Sequence, residues 1–199
     1  VFDNAIKHKS HMMSATATPP REIRMLEHLL DIAGHRYLGV VSGNHDNWTM
    51  DFAGVDVLKG MFHRKDIIYA PWRLHLTLEL GDAEYRIFVS HQGRWESSLN
   101  PLHAVQRILE RGQDDFDIGV IGHKHETATG CFYWRKKRRG AIRPGSYQIS
   151  SDYCAKGGYN DAIPSCPCAI FTQSEFYVFD DLRLGLKLFP ALKPAKKTA

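Results

Sequence analysis

The stretch YLGVVSGNHD, residues 37–46, decides the fold: a short apolar run breaks off into Gly43, Asn44, His45 and Asp46. An apolar run of this length, closed by glycine and polar residues, is the pattern of a buried strand feeding a loop. Just upstream, Ile23, Leu26, Leu30 and Ala33 recur at helical spacing, Pro19 and Pro20 suit a first turn, and Gly34 suits a stop. An amphipathic helix is therefore expected over Pro19–Ala33. Helix, strand and polar loop in this order form the repeating unit of an α/β sheet, whose ligands collect beyond the C-terminal ends of its strands.

Two more strands end the same way. Residues 74–80 alternate Leu with His, Thr and Glu, Gly81 and Asp82 form a turn, and the apolar run 85–90 stops at His91-Gln92-Gly93. Leu102, Val105, Ile108 and Leu109 then mark one face of a helix over 101–111, with Asn100 as N-cap and Gly112 as C-cap. Residues 117–121 read as a buried strand ending at Gly122-His123-Lys124-His125. The remainder reads as β-rich hairpins: CFYW, a basic turn RKKRRG, AIRPGSY, CAIFTQ, EFYVFD and LRLGLKLF. The expectation is one α/β domain over 1–199, with two packed mixed sheets flanked by helices and a basic tail from about residue 193.

Imidazole nitrogens and amide or carboxylate oxygens suit Zn, Mn or Fe, and glycines let the backbone aim them. An extended segment would point His123 and His125 the same way; a loop could aim them at two neighbouring ions. His28, His35, His63, His75 and His103 lie in amphipathic or turn contexts and are read as structural or surface residues.

The order GNHD, strand-end His followed by glycine, then GHxH resembles the calcineurin-like metallophosphoesterases, over residues 1 to about 147. The resemblance implies an α/β/β/α sandwich and hydrolysis of phosphoesters by a metal-activated hydroxide held between two divalent ions. It implies that Asn44, His91 and His123 ligate one ion and His125 the other. His45 would stabilise or protonate the leaving oxygen, with Asp46 orienting its ring.

The family also carries D-x-H and GDxxD motifs, and neither is complete here. Val1-Phe2-Asp3-Asn4 matches the end of GDxxD, which makes Asp3 its final, supporting carboxylate and puts the bridging Asp before Val1. The expectation is a domain lacking its first strand or strands, with little activity alone. Asn44, His91, His123 and His125 form a neutral set that holds at most one weakly bound ion. His8 and His11 read as part of a polar loop. The alternative is a non-catalytic module binding protein or nucleic acid on a phosphoesterase scaffold.

Composition narrows the partners. With 43% hydrophobic and 24% charged residues the chain is globular rather than disordered. No apolar run approaches the roughly 18 residues of a membrane helix, and a soluble cytoplasmic protein is expected. The four cysteines read as free thiols, since Cys166-Pro167-Cys168 is too close for a C-x2-C zinc knuckle. The net charge of +4 gathers in 135–139 and 193–197, read as solvated turn and tail. A nucleotide or nucleic-acid phosphodiester is the preferred substrate class, because Arg94 and Trp95 follow His91 and the 135–139 turn could track a phosphate backbone. The pattern is silent on oligomeric state.

Overall fold

The structure, a computed structural model, describes residues 17–112, 114–147 and 164–189. Asp3, His8, His11, Cys154 and the basic tail lie outside them.

Helix α1, Pro19–Ala33, has the expected bounds, and Gly34 ends it with φ 52° and ψ −130°, a positive-φ conformation that glycine adopts without strain. The strand expected over 37–42 is only Val40–Val41 (β1), paired in parallel with Tyr69–Ala70 (β2). Between them lie α2, Asn44–Ala53, and α3, Val57–Arg64. Neither helix was expected. GNHD is thus the entrance and first turn of α2 rather than a loop. Asp46 creates this turn, its Oδ2 accepting the Gly43 N–H at 2.7 Å. Leu26 and Leu30 of α1 pack with Leu58, Met61, Phe62 and Ile67, against the partly buried Val40 and Tyr69 of the small parallel sheet.

The main sheet has five strands in the order β3-β4-β5-β7-β6: Arg73–Leu80, Ala83–Ser90, Ile118–Ile121, Lys137–Arg143 and Ala128–Trp134. β4, β5 and β7 are parallel, and β3 and β6 join the edges antiparallel. One face packs Phe88, Ile121 and Ala141 against Ala104, Val105, Ile108 and Leu109. The last four belong to α4, His103–Glu110, shorter than the expected 101–111. Asn100 does not cap it. Its Oδ1 accepts the Leu102 N–H at 3.1 Å, shaping the turn before the helix.

The other face presents Tyr85, Ile118 and Ile142 to Phe176, Phe171 and Val178. The last three belong to a two-stranded antiparallel sheet of β8, Cys168–Phe171, and β9, Phe176–Phe179. LRLGLKLF, expected to be β, is helix α5, Leu182–Leu188, because Asp181 caps it by accepting the Arg183 N–H at 2.8 Å. Gly185 lets α5 lie close on this sheet: a Cβ there would meet Cys168 Sγ at 3.0 Å. The layers run helix, sheet, sheet, helix, as expected. Among the described residues the second sheet is a small antiparallel ribbon rather than a mixed one.

The basic turn is also redrawn. Only Arg135 and Lys136 form it, both with positive φ, while residues 137–139 belong to β7. Arg139 is 2% exposed and meets Asp117 at 2.9 Å and Asp115 at 2.8 Å. Arg138 stacks on Phe176, 4.9 Å from the ring centre. The cluster that looks continuous in sequence is dispersed in space.

Candidate metal and phosphoester site

β1, β4 and β5 deliver Asn44, His91 and His123 from their C-terminal ends to one place. Asn44 Oδ1 lies 2.7 Å from His91 Nε2, which lies 3.1 Å from His123 Nδ1. The two imidazoles meet edge to face with centroids 5.0 Å apart. Two glycines make the approach possible. A Cβ at Gly43 would stand 3.0 Å from His91 Cε1, and one at Gly122 would stand 3.3 Å from the His91 carbonyl oxygen.

Two contacts compete for one nitrogen at this junction. His91 Nε2 faces both an amide oxygen and a second ring nitrogen, and a neutral ring has one hydrogen to share between its own two nitrogens. Adding a proton is disfavoured: burial, then the neighbouring His123, His45 and His125, lower the His91 pKa to about 4. Three groups able to offer lone pairs thus converge, with His91 Nε2 shared between the other two.

Two imidazoles and an amide oxygen fit a single borderline cation of the Zn, Mn or Fe type. They do not fit a pair. Among the described residues no group of three His, Cys, Asp or Glu is placed to hold a metal ion, and the converging set carries no negative charge. The Asp46 carboxylate binds the Gly43 N–H. His125 is exposed and near enough to His91 to influence its charge. His123 has φ 72°, so the 122–125 segment is a bend and not the extended run that would aim both histidines alike.

His45 stacks on Trp48, with centroids 4.2 Å apart and planes 22° apart. Trp48 is a contact the sequence reading missed, although its i+3 spacing from His45 in a helix would have pointed to it. Arg94 and Trp95 separate in role. Arg94 is exposed, 5.7 Å from the Trp95 ring centre, whereas Trp95 packs against the core under α4 and its carbonyl takes His103 Nδ1 at 2.9 Å. Ser42, also unforeseen, is fully buried at the end of β1 and donates to Pro71 O at 2.6 Å.

No protein-family model and no curated protein matches the chain. Among solved structures it aligns with wild-type Vps29 of Entamoeba histolytica in complex with zinc, at 17% identity over 75% of this chain and 78% of that one, with a TM-score of 0.38. A similarity of this degree bears on neither activity nor ligand.

Proposed function

We propose that the chain contributes Asn44, His91 and His123 to a metal site of a phosphoester hydrolase, acting on a nucleotide or nucleic-acid phosphodiester. The observation that carries this reading is the convergence of those three lone-pair donors at three strand ends. A divalent ion bound there supplies Lewis acidity toward a phosphate oxygen. The first turn of α2 carries Asn44, His45 and Asp46. His45, on that same turn and held by Trp48, is the group suited to give a proton to a leaving oxygen. Arg94, exposed in the loop that follows His91, would meet substrate charge.

The test is zinc or manganese uptake by the purified chain, together with turnover of an aryl phosphate in manganese. One ion per chain is expected, and His123→Ala should weaken uptake at least tenfold and remove any turnover. Full uptake by His123→Ala would sink the assignment.

A second reading is favoured by the neutral donor set, which provides for one ion and leaves a two-ion centre without carboxylates. On it the chain is a binding module whose single ion organises a surface rather than a reaction. Stoichiometric metal without turnover of any phosphate ester would select this reading.

A further inference from the structure

We infer that Arg143 is a positioning residue for the histidine site, tying the loop that bears His123 to the loop that follows His91. The inference rests on the reading of that site given above. Arg143 ends β7 and is fully buried. Its Nε donates to Pro101 O at 2.6 Å, and its Nη1 lies 3.4 Å from Gly122 O and 4.0 Å from Glu96 Oε1. Its Nη2 is buried with no partner among the described residues.

A guanidinium held this way is expensive. Burial strips its water, one of its nitrogens gets nothing back from the described residues, and an apolar side chain of similar volume would fill the same space at lower cost. The position gains reach to three separate backbone segments. Pro101 leads into α4, Gly122 immediately precedes His123, and Glu96 accepts the Gly93 N–H at 3.3 Å in the loop beginning at His91. The Gly122 peptide is already tied to the other histidine strand, its N–H donating to Ser90 O at 3.1 Å. Arg143 holds the carbonyl of that same residue.

The conformation of His123 shows why the carbonyl needs holding. A non-glycine residue at φ 72° carries strain of order 1 kcal/mol or more and persists where its surroundings over-determine it. The Gly122 carbonyl on its N-terminal side accepts the Lys124 N–H at 2.9 Å, closing a tight turn around His123, and Arg143 Nη1 adds a second, longer hold at 3.4 Å from the sheet. Without the arginine the turn keeps its own hydrogen bond but loses its tie to β7 and to the Pro101 and Glu96 segments, so Nδ1 is no longer fixed against His91 Nε2. Arg143 touches neither ligand nor reacting atoms and acts through the two loops.

The decisive comparison is Arg143→Lys, with Glu96→Gln as a milder second variant and Arg139→Lys as the control. Arg139 is a buried arginine of the same strand, paired at the other end with Asp115 and Asp117. Arg143→Lys and Glu96→Gln should weaken zinc binding by about tenfold, the scale for residues that orient ligands. They should also shift the ring 15N resonances of His91 and His123 in the metal-free chain. Arg139→Lys should lower the melting temperature and leave both readouts unchanged. Arg143→Lys behaving as Arg139→Lys does would overturn the inference. If the unsubstituted chain takes up no zinc, the reading of the site fails, while the ring resonances still decide Arg143: unchanged 15N shifts in both variants would reject it.

Discussion

His91 concentrates the residue-scale physics of this protein. Its ring nitrogen stands between Asn44 and His123, and its ordinary pKa of 6.5 is lowered to about 4, chiefly by burial and next by the adjacent His123. The sign of the consequence follows from linkage. Between pH 6.5 and 4 the unfolded chain binds a proton at this residue and the folded chain does not, so stability is greatest above 6.5 and falls as pH drops through that window. At pH 5 the loss should be about 1 kcal/mol once solvent screening of a half-exposed ring is allowed for. Urea unfolding of the metal-free chain at pH 7.5 and pH 5 measures it. His91→Asn should flatten the difference, and an equal drop in that variant would place the titrating group elsewhere. The three converging side chains were legible in the sequence because each follows an apolar run ended by or beside glycine. Trp48, Ser42 and Arg143 were not, because aromatic, hydroxyl and basic residues in those contexts have no spacing that separates a support from a surface side chain.

At the scale of elements, helices with clear periodicity could be read, and those set by a capping side chain or by tertiary packing could not. α1 announced itself by spacing and prolines. α2 and α3 did not, since NHDNWTMDFA has no apolar stripe, and the short α3 depends on Asp56, whose Oδ1 accepts from Leu58 N at 3.1 Å and Lys59 N at 2.9 Å. LRLGLKLF alternates as a strand does, and its cap and its seat on β8 and β9 decide for helix. β5 shows how tightly elements are fitted. At Gly119 a Cβ would stand 2.6 Å from both Phe116 Cε2 and Val105 Cγ1, so α4 and the 116 loop sit directly on the strand backbone. Gly119→Ala should therefore destabilise by about 1–3 kcal/mol, the cost of overpacking a dense core. Denaturant midpoints check this, and a neutral result would mean that α4 can move away freely.

For the whole molecule, the sequence-level charge pattern misled where the layered architecture did not. Five cationic residues in a row, 135–139, read as one basic surface, yet the β6–β7 hairpin divides them. Arg135 and Lys136 are exposed at the turn, Arg138 lies over Phe176 between the two sheets, and Arg139 is buried at the sheet end. Strand alternation causes this division, and it became visible only once the register of β7 was fixed, Arg138 opposite Tyr133 and Arg139 opposite Phe132. The energetic weights should separate accordingly. Asp117 receives both Arg139 Nη1 and, through Oδ2, the Arg86 N–H at 2.8 Å, so Arg139→Ala strands a carboxylate already committed to the sheet. That should cost about 1.5–3 kcal/mol, the range for losing a hydrogen bond to a charged group, since Asp117 keeps 21% of its side chain in solvent. Asp115 softens the loss because Arg86 also reaches it, at 2.8 Å. Arg135→Ala removes an exposed cation lying 5.6 Å from the Trp134 ring centre and should change stability by less than about 1 kcal/mol. Guanidinium unfolding of the two variants, in high salt so that net charge is screened, separates structure from surface within one run of sequence. Equal losses would return all five residues to a single solvated patch, and with it the nucleic-acid backbone reading of this turn.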